Sequence, residues 1–411
     1  MAHEWRHVCY KPGFDKHVET LTPSQKAFPY LLHAWILNPQ HKVVIVAGGP
    51  GTGKTYTVIE TLNLVQIPQL RMAPTARVAH KMNGSTLYSA LRLAWGKESV
   101  LNRLEKELES ETETDACITK SRVLLKEFEC RPKPQIIVLD EVGMMAHWLT
   151  HWIIHYFFQD SKPKLFIVMG DPNQLRPVKS NHNIFSVTLR FENTHIDLLE
   201  SKRFTPTYER VINQLRECVD AQDTEGMLAR IGEHFKVVEH IHDEILKTCT
   251  RAMAYLKSSV ESYNAYYLKN MVSGPVLRLW KSGEGKETFI DVKTGCHVFV
   301  IQNHLSTAPN GTCLIFEAYD GDRDMVECSY PVTTTGQQQA HHPYNRVLVR
   351  RNANGEFPIV VGFAATVHKF QGDTMDDRAI AINFNGSTDL NLMYTALSRV
   401  QNKHQVVAIE L

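Results

Sequence analysis

Val43-Val44-Ile45-Val46-Ala47-Gly48-Gly49-Pro50-Gly51-Thr52-Gly53-Lys54-Thr55 passes from a β-type apolar run into a glycine-rich loop, and Tyr56-Thr57-Val58-Ile59-Glu60-Thr61-Leu62 continues with helical patterning. Strand, loop and helix in that order make an anion-binding turn. Glycines let backbone N–H groups turn inward around phosphate oxygens, and the helix N-terminus adds positive potential. The spacing G-x-x-x-x-G-K-T is complete. Gly48, Gly49, Pro50, Gly51, Thr52, Gly53, Lys54 and Thr55 are therefore expected to hold a nucleoside triphosphate, with Lys54 on its β- and γ-phosphates and the Thr55 hydroxyl on Mg²⁺.

Outward from this loop the same grammar repeats. Leu70-Arg71-Met72-Ala73 leads into Pro74-Thr75, Ile136-Ile137-Val138-Leu139 into Asp140-Glu141, and Leu165-Phe166-Ile167-Val168-Met169 into Gly170-Asp171. Apolar runs ending in polar loops and alternating with helical stretches indicate a parallel sheet covered on both faces, with functional residues at the strand ends. Ala379-Ile380-Ala381-Ile382 and Val406-Val407-Ala408-Ile409 repeat the pattern late in the chain, so two α/β domains are expected. Asp140 is placed to hold the Mg²⁺ shell and Glu141 to orient and deprotonate an attacking water, which makes ATP the substrate and hydrolysis its fate.

Two segments break the pattern. Residues 87–133 turn helical and highly charged, with Leu101, Leu104 and Leu108 on one stripe, and are expected to form a small insertion. Residues 274–358 shift to alternating β residues with Asn310-Gly311 and Asp320-Gly321 turns, expected as a small β-barrel insertion. The first domain then comprises residues 1–86 and 134–198, and the second 199–273 and 359–411.

Bulk composition is that of a soluble globular protein, at 43% hydrophobic and 22% charged residues, with 45 Lys+Arg against 44 Asp+Glu leaving the nucleic-acid question open. Eight cysteines without a Cys-x-x-Cys pair suggest free thiols in a reducing compartment. No run is long and apolar enough to span a bilayer, and the start lacks a signal-peptide pattern. A soluble intracellular protein without a membrane partner is expected, with cytoplasm or nucleus undecided. His147, His151 and His155 share one helical stripe, but Trp148 and Trp152 beside them favour a packed helix over a metal site. His341-His342 falls in a polar stretch expected as a loop.

The remaining motifs carry a resemblance. Leu21-Thr22-Pro23-Ser24-Gln25 resembles the adenine-reading glutamine motif of superfamily 1 helicases, and Ala73-Pro74-Thr75-Ala76-Arg77-Val78-Ala79 resembles their motif Ia. Gly84-Ser85-Thr86-Leu87-Tyr88-Ser89-Ala90-Leu91 is similar to the element that follows, with Tyr88 where His is common. Asp140-Glu141-Val142-Gly143-Met144 resembles motif II, and Gly170-Asp171-Pro172-Asn173-Gln174-Leu175-Arg176-Pro177-Val178 resembles motif III. Leu199-Glu200-Ser201-Lys202-Arg203-Phe204 is similar to motif IV. The His368-Lys369-Phe370-Gln371-Gly372 core of motif V and Tyr394-Thr395-Ala396-Leu397-Ser398-Arg399 of motif VI resemble the RecD-like branch, which includes small phage and viral helicases. Gly143 and Arg176 depart from the usual Ser and Pro.

The resemblance implies two RecA-like domains of the P-loop NTPase class with a helical pin insertion, residues 87–133 as a candidate duplex wedge, and an SH3-like barrel insertion. It further implies ATP-driven movement 5′ to 3′ along single-stranded DNA with duplex unwinding. An RNA helicase of the same superfamily, and a nucleic-acid-stimulated ATPase switch that does not unwind, are the alternatives. By the same resemblance Gln25 and Gly372 contact the nucleotide and Gln174 reports loss of the γ-phosphate. Arg203 and Arg399, both expected from the second domain, neutralise the transferring phosphoryl. Pro74, Thr75, Thr86, Thr366, His368 and Lys369 are the candidate strand contacts, suited to phosphates without reading sequence, and Tyr88 is a candidate either to stack on a base or to pack in the core. A monomeric motor is expected, with a replication or single-strand-binding protein as candidate partner.

Overall fold

The computed structural model describes residues 10–91, 134–177, 182–186, 189, 191–281, 288–302, 308–331, 346–352, 355–372, 374–375 and 379–411. The chain divides into two compact units, Met1–Arg203 and Phe204–Leu411.

Among its described residues the first unit builds one six-stranded sheet from β1 (Lys42–Gly48), β2 (Gln69–Ala73), β3 (Ser85–Thr86), β4 (Ile136–Leu139), β5 (Leu165–Gly170) and β6 (Asn193–Leu198), in the order β3-β2-β4-β5-β1-β6. Every pairing in it is parallel. The apolar runs are continuous because both faces are covered. Along a strand, successive side chains point to opposite faces. Val43, Ile45, Ile137, Leu139, Phe166 and Val168 join one core with Trp148, Trp152 and Ile153 of the helix His147–Phe158. Val44, Val46, Ile136, Val138, Leu165 and Ile167 join the other, with Phe28, Leu32 and Trp35 of Ala27–Leu37 and Val58, Ile59 and Leu62 of Lys54–Asn63. With all strands parallel, their carboxyl ends line one edge, where the phosphate loop, Asp140 and Asp171 all fall.

Two expected boundaries move here. Leu87 and Leu91 are buried in the first core, so the helix Leu87–Ala90 packs with the first unit although residues 87–133 were expected as an insertion. The rest of that expected wedge, including Leu101, Leu104 and Leu108, lies outside the described residues, as do His341-His342. At the other end, Leu199–Arg203 stays with the first unit, because Lys202 N donates to Gly51 O at 3.0 Å and Ser201 Oγ donates to Pro50 O at 3.0 Å. Arg203, expected from the second domain, therefore closes the first unit.

The second unit carries a five-stranded parallel sheet among its described residues: β7 (Val237–Val238), β8 (Arg251–Ala254), β16 (Ala364–Thr366), β17 (Ile380–Asn383) and β18 (Val406–Glu410), ordered β16-β8-β17-β18-β7. Helix Pro206–Ala221 starts at a proline, which suits a first turn with no N–H partner, and Asp389 caps Leu390–Leu397 by accepting from Asn391 N and Leu392 N.

Between β8 and β16 the chain forms the hairpin β9 (Leu277–Lys281) with β10 (Thr288–Val292). It then forms the antiparallel sheet β14-β13-β12-β11-β15, from β11 (His297–Val300), β12 (Cys313–Asp320), β13 (Met325–Ser329), β14 (Arg346–Arg350) and β15 (Ile359–Val361). β15 pairs with β11, so this sheet extends past Pro358, where the expected boundary stood. Among the described residues no pairing joins β14 to β15 to close a barrel. The Asp320-Gly321 turn is a four-residue loop in which Asp320 Oδ1 accepts from Asp322 N and Arg323 N, with Asp324 left-handed at φ 49°. Val298, Leu314, Phe316 and Val347 share one core with Ala252, Ala364 and Ala381 of the parallel sheet.

Candidate active site

Local sequence shapes the phosphate loop. Gly51 and Gly53 sit at φ 78° and 77°, a backbone region that side chains disfavour. A Cβ on Gly51 would stand 2.4 Å from Arg203 Cβ, and one on Gly53 2.7 Å from Gln25 Nε2. The loop thus lets two other segments approach closely. Thr52 Oγ1 donates to Gly49 O at 2.9 Å and braces the turn.

The chemistry-bearing groups converge on that loop. Lys54 Nζ donates to Gly48 O at 2.7 Å and Gly49 O at 3.1 Å. Thr55 Oγ1 donates to Asp140 Oδ2 at 2.7 Å, across 85 residues. Asp140 is buried, and its Oδ1 accepts from Glu141 N at 2.8 Å. Burial, and then the Glu141 charge, push the Asp140 carboxyl up to about 6, against the pull of the Thr55 hydroxyl. Glu141 adopts the left-handed conformation at φ 54°, an uncommon state for a side-chain-bearing residue and one that turns it out of the strand direction. Burial draws the Lys54 amine below its ordinary range, while Asp171, Glu141 and Asp140 hold it up and Arg203 adds to the depression. That set of couplings places one lysine, three acids and Arg203 in a single electrostatic neighbourhood.

Asp171 is the acid that motif spacing did not single out. It is buried, its Oδ1 accepts from Asn173 N at 3.0 Å, and its Oδ2 accepts from Gln174 Nε2 at 2.9 Å. Asp171 thereby orients Gln174. Its signal in the sequence was the Gly170-Asp171 step after an apolar run, the pattern that also marked Asp140. A Cβ at Gly143 would lie 3.1 Å from Asp171 O, so the departure from Ser at that position matches a close approach in this chain.

Gln25 is buried; its Oε1 accepts from Thr22 N at 3.0 Å and its Nε2 donates to Thr52 O at 2.9 Å. Glu200, unselected from sequence, accepts from Thr22 Oγ1 at 3.0 Å, from Ser24 N at 3.4 Å and from Ser24 Oγ. These bonds, the Ser24 hydroxyl foremost, hold its carboxyl below the usual range.

Among the candidate strand contacts, β2–β3 pairing at Ala73↔Thr86 brings Pro74, Thr75 and Thr86 to one edge of the first sheet. Both threonines cap helices, Thr75 accepting from Val78 N and Thr86 from Ser89 N. Tyr88 is half-buried and packs against the first core, which favours packing over base stacking. In the second unit Thr366 ends β16, His368 is exposed, and Lys369 stands 4.9 Å over the Phe299 ring, its amine drawn down to about 8 by burial. Gln371 is buried with neither amide atom hydrogen-bonded, a costly state that points to a missing partner. Gly372 follows at φ 77°. Arg399 is buried in the second unit, donating from Nε to Thr395 O at 3.0 Å and from Nη2 to Ser398 Oγ at 2.9 Å. Among the described residues no group of three or more His, Cys, Asp or Glu is placed to hold a metal; His147 and His151 are buried on a helix whose Trp148 and Trp152 join the first core. No helix among them is long and apolar enough to cross a membrane.

A family model described as an AAA domain matches residues 33–180. The chain is 22% identical to the ATP-dependent DNA helicase Pif1 of Campylobacter jejuni, covering 87% of each, and 23% identical to the RecBCD enzyme subunit RecD of Mycobacterium tuberculosis, covering 90% of this chain and 67% of that one. Its fold matches a structure of two coordinating Pif1 helicases unwinding forked duplex DNA, at TM-score 0.66 and 19% identity over 94% of this chain and 92% of the other. It also matches Bacteroides Pif1 bound to single-stranded DNA, at TM-score 0.64 and 18% identity with the same coverage. The chain is therefore similar, along most of its length, to Pif1 and RecD helicases. The two parallel sheets share the fold of those chains.

Proposed function

We propose that this chain hydrolyses ATP to move along single-stranded DNA from 5′ to 3′ and to separate duplex DNA ahead of it. One observation carries the reading: Thr55, Lys54, Asp140, Glu141 and Arg203 meet at the carboxyl edge of a parallel sheet, around a loop shaped for phosphates. The relatives named as ATP-dependent DNA helicases support DNA as the strand.

The hydroxyl of Thr55 and the carboxylate of Asp140 are hard oxygen donors 2.7 Å apart, a set that fits Mg²⁺. Bound there, Mg²⁺ would neutralise charge on the β- and γ-phosphates. Lys54 leaves its two carbonyl partners for phosphate oxygens, and the backbone N–H groups of the loop hold the rest of the chain of phosphates. Glu141 orients a water and accepts its proton as the oxygen attacks the γ-phosphorus, while the bond from that phosphorus to the β–γ bridging oxygen breaks and ADP leaves. Gln174, held by Asp171, contacts the γ-phosphate and registers its departure. Arg203 and Arg399 neutralise the transferring phosphoryl. Thr75, Thr86, Thr366, His368 and Lys369 grip strand phosphates without reading sequence, and Gln371 finds its partner on the bound strand or nucleotide. Opening one stacked pair costs about 1.4 kcal/mol, well within one hydrolysis event. The protein acts as a monomer in this scheme.

ATP turnover measured with and without single-stranded DNA or RNA, beside unwinding of DNA, RNA and hybrid duplexes, tests it. DNA is expected to stimulate turnover and DNA duplexes to open. Stimulation by RNA alone would reassign the strand, and turnover indifferent to any strand would leave a nucleotide switch.

A further inference from the structure

Three segments far apart in sequence close a ring of hydrogen bonds in the first unit. Gln25 donates to Thr52 O in the phosphate loop. The same loop accepts, at Pro50 O and Gly51 O, from Ser201 Oγ and Lys202 N. Glu200, the next residue back, accepts from Thr22 and Ser24, and Thr22 N donates to Gln25 Oε1. Leu199 N donates to Ser24 Oγ at 3.2 Å, a second strut between the same two segments. The ring runs from Gln25 through the loop to Ser201, across Glu200 and back through Thr22.

Arg203 hangs from this ring. Its N donates to Ser201 Oγ at 3.4 Å, and its Cβ lies against Gly51. Glu200 is the member of the ring whose charged side chain makes its bonds, Lys202 joining through its backbone N–H, and hydrogen bonds to a carboxylate are roughly twice as strong as neutral ones. Among the described residues, the hydrogen bonds that the Glu200 carboxylate accepts all come from Thr22 and Ser24.

We propose that Glu200 is a positioning residue that couples base occupancy at Gln25 to the placement of Arg203 beside the phosphate loop. A base seated against Gln25 orders Thr22–Gln25, Glu200 passes that order to Ser201, and Ser201 sets Arg203. A triphosphate without a base leaves the linkage idle. This rests on the nucleotide-site reading above, with Gln25 on the base side.

The test compares ATP with inorganic triphosphate, which offers the same phosphates and no base. In the wild-type chain with stimulating DNA, ATP is expected to turn over faster, and Gln25→Ala should erase most of that advantage. Glu200→Ala should lower kcat for ATP by about tenfold while leaving triphosphate hydrolysis unchanged. Glu200→Gln, which keeps an acceptor, should fall between. Equal losses on both substrates would mean a purely structural role, and full ATP turnover in Glu200→Ala would remove the coupling; either overturns the proposal. If the wild-type chain shows no ATP advantage, or Gln25→Ala retains it, the base pocket itself is misplaced. Should Glu200→Ala fail to fold, the Thr22→Val/Ser24→Ala double variant removes the two hydroxyl donors to Glu200 from the other side and leaves only the longer Ser24 N–H bond, with the same pattern expected and the same results decisive.

Discussion

Lys54 and Glu141 lie in one electrostatic neighbourhood, yet their chemistry separates them. In the proposed reaction Lys54 meets phosphate oxygens in both ground and transition states, whereas Glu141 acts when a proton leaves water. Glu141→Gln keeps the left-handed turn after β4 and the hydrogen bond from its own N–H to Asp140, because both are backbone features. It should bind ATP with little change and lose about 10²-fold or more in kcat. Lys54→Ala should lose nucleotide affinity and turnover together while still binding DNA. Nucleotide binding measured beside steady-state turnover separates the two patterns; normal turnover in Glu141→Gln would remove it as the base. The residues themselves were legible, since each sits at a fixed offset within a short motif. Asp171 and Glu200 were harder to see. Asp171 acts by holding Gln174, and Glu200 by reaching a segment 176 residues away.

At the scale of one element, the helix His147–Phe158 shows how burial changes the meaning of a histidine stripe. His151 is fully buried, its Nδ1 is 2.9 Å from His147 O, and its Nε2 has no hydrogen-bond partner. Burial brings its pKa down to about 4. The unfolded chain would bind a proton on this ring near the ordinary value of 6.5, and the folded chain only near 4. Between those values the unfolded state holds more protons, so stability is lost as pH falls through that window. His297, brought down to about 3 by burial and then the Arg251 charge, acts in the same direction. Asp140, pushed up to about 6, acts in the opposite one. His151→Gln should therefore show a smaller drop in Tm than the wild-type chain between about pH 7 and about pH 5. Thermal melts across that range measure it, and identical slopes would place the ring in a solvated or ion-paired setting. The stripe could be read from spacing, but whether it faced a metal, solvent or core could not. Alternate residues of the sheet decided that by packing Trp148, Trp152 and Ile153 against β1, β4 and β5.

For the whole molecule, the proposed polarity is the property that gathers every part. A forked DNA duplex carrying only a 5′ tail should be opened in the presence of ATP and Mg²⁺, and one carrying only a 3′ tail should not. Strand displacement read by fluorescence distinguishes them, and preference for the 3′ tail would reverse the direction assigned here. The two parallel sheets were foreseeable, because their buried central strands are largely apolar and β1, β2, β4 and β5 each end in a motif. The limits of the units were less so. β15 joins the antiparallel sheet by pairing with β11 across an intervening stretch of chain, and Leu87 fills a core built from strands on both sides of the expected wedge.

Sequence alone determined the phosphate loop, the acids that follow β4, and the alternation of strand and helix around them. These depend on residue types at short, fixed separations, where chain geometry leaves few alternatives. Tertiary structure alone decided which unit holds Arg203, which hydroxyls cap helices, and how Glu200 ties the segment around Gln25 to the segment bearing Arg203. Such contacts form between residues that meet only after the chain has folded, so no local spacing encodes them.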